Sequence, residues 1–419
     1  MNNFRKNFIW NICGTSLNAF NSLFFLIIVT RINGLENAGI FTLAFSTACI
    51  LYVIGIYSGR IFQVTENGKI TDKDYIASKI ITTIIMIIIS ILFVVVKGYS
   101  LYKSSIFILL CIYKALEAFS ETFYAILQKN EELYKVGKSL FFKSLIAIVL
   151  FLAVDIVLKN IIISCSMIIL ANILIIVFYD IPNTNKIIDK KEKASKQNVK
   201  QIFKTGFYTF AITFLGLYIL NASKYAIDNF MSEDIQAIYG IIIMPATVMS
   251  LFGQFIIHPF LNKFVEYCNN KKQKEFNNLI IKLIGSIIIV GALASILGYF
   301  LGIPVLNILY GIELDNYSIH LLVIIIAATL YTIALLLSSI LTTVRYTFIQ
   351  FIIYMANTIL ALALSNILVK NYGINGAIGS YFAVMFLLLL MYAISTNVIL
   401  KKVFKEKKDE QSNNCNSGI

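Results

Sequence analysis

The sequence predicts an all-α polytopic membrane protein of about twelve transmembrane helices, in two six-helix pseudo-symmetric lobes with both termini cytoplasmic. Three observations carry that prediction. The 419-residue chain is 58% hydrophobic and only 14% charged, with a mean hydropathy of +0.81. Soluble domains carry about 25% charged residues, and the polar residues left here could not cover a soluble core. The apolar residues gather in stretches of about twenty, the length that crosses the hydrocarbon layer as a helix. Finally, the basic residues fall on alternate loops.

The first lobe places helices at about 8–29, 38–58, 76–96, 104–126, 139–158 and 161–179. The second places them at about 206–227, 235–257, 279–301, 320–343, 347–369 and 377–400. Between them lies a polar interval, 180–204, with Lys186, Lys190, Lys191, Lys193, Lys196, Lys200 and Lys204 against Asp180, Asp189 and Glu192. The chain therefore divides into an N-terminal lobe 1–179, a basic cytoplasmic connector 180–204, a C-terminal lobe 205–400 and a basic, polar cytoplasmic tail 401–419. With a cytoplasmic N-terminus, 28 of the 35 basic residues sit inside, Lys69, Lys73, Lys79, Lys138 and Lys143 among them. Arg31, Lys97, Lys103, Lys159 and Lys370 fall outside. The net charge of +13 then marks topology and contact with anionic lipid, and no nucleic-acid partner is expected.

Helix one follows Arg5 and Lys6, but Asn11, Asn18 and Asn21 interrupt it and no small-residue cleavage site follows. It is a membrane span and not a cleavable signal. Asn11, Thr15, Asn18 and Ser22, spaced four, three and four apart, share one face. In lipid that stripe would be unfavourable, so it should face the bundle or a wet cavity, bonding to other helices or to substrate.

Arg60 ends helix two. Helix four carries Lys114, Glu117 and Glu121 on one face, so Lys114 can pair with Glu117. A charge at mid-membrane costs at least roughly 2.5–3.5 kcal/mol, and such groups mark pathways and relays or structural ion pairs. Glu121 has no local partner. With Glu117 it is the candidate for proton or sodium coupling.

Gly137-Lys138-Ser139 ends like a phosphate-binding loop, but position 132 is Glu132 where a glycine is required and no strand precedes it. Lys224 and Asp228 in helix seven form an i, i+4 pair. Pro245 and Pro259 should kink helix eight, which His258 ends. The cysteines have no ligand spacing with His258 or His320, so neither a metal site nor a cofactor is indicated. The largest outer loop, 302–319, offers an enzyme only Glu313 and Asp315, so no catalytic residue is assigned.

A shift of 198 residues aligns 4–62 with 202–260 without a gap. It sets Lys6 on Lys204, Thr15 on Thr213, Gly55 on Gly253, Phe62 on Phe260 and Arg60 on His258. Copies separated by an even number of helices are parallel repeats.

Several segments resemble one family. Arg31-Ile-Asn-Gly34-Leu-Glu36-Asn-Ala-Gly39 follows helix one, and Gly59-Arg60-Ile-Phe-Gln63-Val-Thr65-Glu66 follows helix two. Lys114-Ala-Leu-Glu117 with Glu121, Gln128 and Gly137-Lys138-Ser139 continues the pattern, as does Asn221-Ala-Ser-Lys224-Tyr225-Ala-Ile-Asp228. With twelve helices and this charge pattern, the chain resembles the oligosaccharide (O-antigen or capsule type) flippases of the multidrug/oligosaccharidyl-lipid/polysaccharide exporter superfamily. Relatives tend to have Pro-Arg at Ser223-Lys224, so bidentate phosphate binding there is weakened.

The resemblance implies a multi-pass protein of the bacterial cytoplasmic membrane. It would flip a lipid-linked oligosaccharide of the undecaprenyl-pyrophosphate type between leaflets by alternating access, for cell-surface polysaccharide biosynthesis. Lys114, Arg60, Lys224 and His258 would meet the phosphates, and Asn11, Thr15, Asn18 and Ser22 the sugar. Expected partners are that anionic substrate, membrane lipids and other polysaccharide-assembly membrane proteins. Two alternatives remain open: a cation-coupled multidrug exporter of the same fold, and a membrane polysaccharide polymerase.

Overall fold

The computed structural model describes residues 3–57, 59–64, 70–189 and 192–416, which are helical with short turns and contain no strand. Thr65, Glu66, Lys69, Lys190 and Lys191 of the segments above lie outside the described residues. Numbered in chain order, α1 covers 3–33 and α2 35–56, joined at Gly34. Next come α3 (Asp72–Lys97), α4 (Leu101–Lys129), α5 (Leu133–Leu158) and α6 (Ile161–Thr184). The chain continues with α7 (Lys196–Phe230), α8 (Glu233–Asn269), α9 (Gln273–Tyr310) and α10 (Ser318–Thr343). Finally α11 (347–372) and α12 (374–416) meet at Gly373. Among the described residues, nine helical runs are long and apolar enough to cross a membrane. Two of them are each a pair of helices, and α4 joins the set once Lys114, Glu117 and Glu121 are accepted inside it. The described residues thus hold twelve membrane-length helices, and the chain is a multi-pass membrane protein.

The helix breaks have local causes. Gly34 sits at φ 85° and ψ 177°, a conformation that side chains exclude, so the chain turns there from α1 into α2. In α8 the regular helix is interrupted at Ile243, just before Pro245, and passes through a 3₁₀ turn at His258–Phe260 around Pro259. A proline ring removes an N–H and crowds the preceding turn, which produces both breaks. Thr71 caps α3, its hydroxyl accepting from the Asp74 N–H while the Asp74 carboxylate accepts from the Thr71 N–H.

The chain forms two compact units. Unit 1 holds the residues up to Leu217 with Ser232–Ala237; unit 2 holds Tyr218–Met231 and the chain from Ile238. In unit 1, α1 crosses α5 at two glycines. A Cβ at Gly14 would overlap the Gly137 backbone, and one at Gly137 would overlap Trp10 and Asn11. That contact explains the glycine of Gly137-Lys138-Ser139, because small residues let membrane helices approach closely. Ser139 Oγ in turn bonds the Tyr124 hydroxyl at 3.0 Å. Deeper in, Phe25, Phe41, Phe151 and Tyr113 pack as an aromatic core, with the Phe25 and Phe151 centroids 5.0 Å apart.

In unit 2, neutral groups join the last three helices. Gln350 on α11 accepts from Ser338 of α10 at 2.7 Å and from Tyr392 of α12 at 3.5 Å, and donates to Thr342 at 3.0 Å. Asn357 donates to the Val384 carbonyl at 3.3 Å, and Ser223 and Ser380 bond at 3.0 Å.

Several expectations are corrected. Helix enters the interval 180–204 from both sides, since α6 runs to Thr184 and α7 starts at Lys196. Asp180 is fully buried against Lys143 and so belongs to the bundle, not to a solvated loop. Lys79 and Lys143, counted as loop cations, are buried within α3 and α5. Lys103, counted as an outer-loop cation, pairs with Glu233 at 2.5 Å. The outer loop 302–319 is mostly helix, because α9 extends to Tyr310. Asn307 then bonds across the following turn to Asp315 and the Leu314 N–H, each at 2.9 Å.

Candidate functional site around helix α4

The candidate site lies in unit 1 and is built on α4. Lys114 Nζ donates to Glu117 Oε2 at 2.6 Å, the pair its spacing predicts. Three aromatic rings surround the same ammonium: Phe45, Tyr113 and Tyr52, with centroids at 4.9, 5.0 and 5.9 Å. Each ring face attracts a cation by roughly 0.5–2 kcal/mol, depending on desolvation. One carboxylate and an aromatic collar thus enclose the Lys114 side-chain nitrogen within an apolar segment.

One turn on, Glu121, which has no partner on its own helix, meets one from elsewhere in the chain. Arg60 Nε lies 3.7 Å from Glu121 Oε2. Sequence could not show this pair, because it depends on how the chain leaves α2. Tyr57 (φ 44°) and Gly59 (φ 73°) are both left-handed, and a short helix, Gly59–Val64, then returns Arg60 toward α4. The Tyr57 ring stacks on Phe210 at 4.8 Å, and its hydroxyl donates to the Phe203 carbonyl at 2.9 Å. Burial raises the pKa of that phenol, so it remains a donor. Two α3 residues satisfy the last carbonyls of α2: Lys79 Nζ donates to Ile56 at 2.6 Å and Thr82 to Gly55 at 2.7 Å. His258, set against Arg60 by the 198-residue shift, has no such break before it. It is exposed within the 3₁₀ turn of α8, so the two positions differ in local structure.

Exposure separates two kinds of ion pair. The Lys114 and Glu117 side chains are 13% and 14% exposed, and those of Arg60 and Glu121 are 27% and 20%. Lys143 and Asp180 are 5% and 0% exposed, with Nζ 2.6 Å from Oδ2. Lys143 also donates to Ser120 at 2.7 Å and to Tyr124 at 2.9 Å, so it is saturated and closed. The first two pairs keep some exposed surface, and the third keeps almost none. Arg60 adds a sharper feature: its Nη1 is buried with no hydrogen-bond partner among the described residues. An unmatched buried guanidinium donor is costly unless an acceptor arrives.

The polar stripe of α1 divides. Thr15 is exposed, while Asn11, Asn18 and Ser22 are half-buried. Asn18 Oδ1 accepts from Asn21 and from Ser144, each at 3.3 Å. Asn21, which the spacing argument left out, is 2% exposed and donates to Ser144 at 3.1 Å and Tyr113 at 3.4 Å. It ties α1 to α5 and to the residue beside Lys114. Its signal was present as the third asparagine of the helix, one turn after Asn18. Lys224 is buried in α7 one turn before Asp228, and with His258 belongs to unit 2.

Comparison with known proteins bears on this geometry. No family model matches the chain. A Staphylococcus aureus protein described as capsular polysaccharide biosynthesis protein CapF is 23% identical over 322 residues, covering 76% of this chain and 80% of the relative. Among solved structures, an inward-facing multidrug resistance MATE family transporter of the MOP superfamily aligns with a TM-score of 0.68 at 12% identity, over 94% of this chain and 99% of that one. The fold is that of the MOP-superfamily transporters. A bent form of the Vibrio cholerae MATE transporter VcmN aligns at 0.59 and 12% identity, over 95% and 97% of the two chains. A MOP superfamily transporter from Pyrococcus furiosus, described as having a binding pocket of reverse polarity, aligns at 0.55 and 11% identity over 96% of each.

Proposed function

We propose that this protein is a transporter that moves an anionic lipid-linked oligosaccharide of the undecaprenyl-pyrophosphate type across the bacterial cytoplasmic membrane. Movement from inner to outer leaflet by alternating access would supply cell-surface polysaccharide assembly. The observation that carries the reading is the partly exposed basic set of unit 1. Arg60 and Lys114 are partly open, and Arg60 keeps a buried donor without an acceptor among the described residues. A diphosphate cannot enter hydrocarbon without replacing its hydration, and charge-assisted bonds to a guanidinium and an ammonium offset that loss. The similarity to CapF supports a polysaccharide role, and the fold supports transport.

The paired acids give this site a means of exchange. Glu117 and Glu121 hold the cations that phosphates would take, so carboxylate and diphosphate compete for the same donors. Protonating a carboxylate releases its cation to substrate, which couples binding to a proton; sodium bound between the acids would act in the same sense. The acids and the aromatic collar also give the multidrug reading its one specific support. Complementation of a flippase-deficient strain distinguishes the two. The wild type should restore surface polysaccharide, and Arg60→Ala and Lys114→Ala should reduce it by tenfold or more. Full activity in both variants would remove the site assignment, and export of cationic dyes without complementation would favour the multidrug reading.

A further inference from the structure

A cavity of about 520 Å³ lies away from the ion-pair site, between the start of α3 and the segment linking α6 to α7. Lys73, Ile76, Ala77 and Ile80 form one wall, and Asn185, Ile188 and Ala194 form the other. The α3 residues are spaced i, i+3, i+4 and i+7, so they share one helix face. That face continues along α3 into Ile84 and Ile88, which are 52% and 51% exposed. In a membrane-spanning helix of such hydropathy, the groups covering that stripe are acyl chains. The cavity lies at the polar end of that exposed apolar stripe.

Its walls are fixed. Asp74, one residue after Lys73, accepts from the Ser195 N–H at 2.6 Å and from Asn198 Nδ2 at 2.7 Å, in addition to its capping bonds. The link is thereby tied to α3. On the other side, Ile187 packs on Tyr124, Leu127 and Val136, and the Ile188 N–H donates to the Thr184 carbonyl at 3.1 Å. Lys73 Nζ donates to the Glu192 carbonyl at 2.6 Å, which keeps the ammonium at the cavity rim beside the Asn185 amide. By sequence the link carries Lys186, Lys190, Lys191 and Lys193 against Asp189 and Glu192, an excess of basic charge that offsets Asp72 and Asp74 beside Lys73.

We propose that this cavity binds one anionic glycerophospholipid from the adjoining leaflet, its phosphate on Lys73 and Asn185 and an acyl chain along Ile76, Ile80 and Ile84. The chemistry selects that occupant. A soluble phosphate would gain nothing from the isoleucine floor, and a zwitterionic lipid brings its own cation to a rim that already has several. The binding is independent of the transported substrate and ties the α6–α7 link to the membrane surface.

Native mass spectrometry of the full chain, released from bilayers of equal phosphatidylglycerol and phosphatidylcholine, tests this. The wild type should retain one phosphatidylglycerol in preference to phosphatidylcholine. Lys73→Ala should lower that preference about fivefold, the value of one lysine at an anionic surface. Ile76→Trp, which fills the cavity and keeps the lysine, should abolish retention, so loss in both variants does not reduce to loss of charge. Equal retention of the two lipids by the wild type would overturn the proposal. So would unchanged retention in either variant, or displacement of phosphatidylglycerol by added undecaprenyl phosphate.

Discussion

The two units solve the same problem with different chemistry. Both must satisfy polar groups inside a membrane-spanning bundle. Unit 1 does so with ions: Lys114 on Glu117, Arg60 on Glu121, Lys143 on Asp180. Unit 2 joins its last three helices through Gln350, Ser338, Thr342 and Tyr392, all neutral. Neutral groups are enough to join those three helices, while α7 of unit 2 buries Lys224 one turn before Asp228, so it is the ion pairs around α4 in unit 1 that call for a further reason. These three pairs separate the reasons, because one is nearly closed and two keep exposed surface. The nearly closed pair is architectural, linking α5 to the end of α6, where five residues, Ile176–Asp180, wind as a π-helix. The partly exposed pairs carry the proposed binding role.

Breaking the nearly closed pair should have the largest effect. Asp180→Leu leaves Lys143 buried without its counter-charge and should cost about 3–5 kcal/mol, read as thermal unfolding in detergent. Adding Lys143→Met should recover most of that loss, because a well-packed apolar pair often matches a buried ionic one. Gly137→Leu should come next, forcing α1 away from α5 at a cost of about 1–3 kcal/mol in the same measurement. Gln350→Leu in unit 2 should cost about 1–2 kcal/mol, since interhelical hydrogen bonds in membranes contribute little each. If Gln350→Leu proved as damaging as Asp180→Leu, the contrast between ionic and neutral units would lose its energetic meaning. Thr15→Ala, on the exposed part of the α1 stripe, should stay within about 0.5 kcal/mol.

What the sequence made legible follows from the range of each interaction. Helix positions follow from hydropathy, the breaks in α8 from Pro245 and Pro259, and the Lys114–Glu117 pair from a spacing of three. Each is a local rule. The pairs Arg60–Glu121 and Lys143–Asp180 join residues far apart in the chain, and nothing beside either partner announces the other. Lys143 and Lys79 were counted as loop cations because they lie close to helix starts, where a lysine usually reaches water. Here the packing of α4 and α6 closes over Lys143, and Lys79 turns inward to the end of α2. The end of α6 is hidden in the sequence for a related reason. Asp180 looks solvated in sequence, and only its distant lysine makes it a core residue. Gly137-Lys138-Ser139 shows the converse case, where a motif with catalytic associations marks a helix crossing.

The most direct test is movement of lipid-linked oligosaccharide in proteoliposomes containing the purified protein, with and without a proton or sodium gradient. The wild type should transfer the substrate between leaflets. Arg60→Ala and Lys114→Ala should slow transfer at least tenfold while folding normally, and Glu121→Gln should change the dependence on the gradient. Transfer that proceeds equally well in all three variants, or export of cationic dyes with no movement of the lipid-linked substrate, would contradict the account.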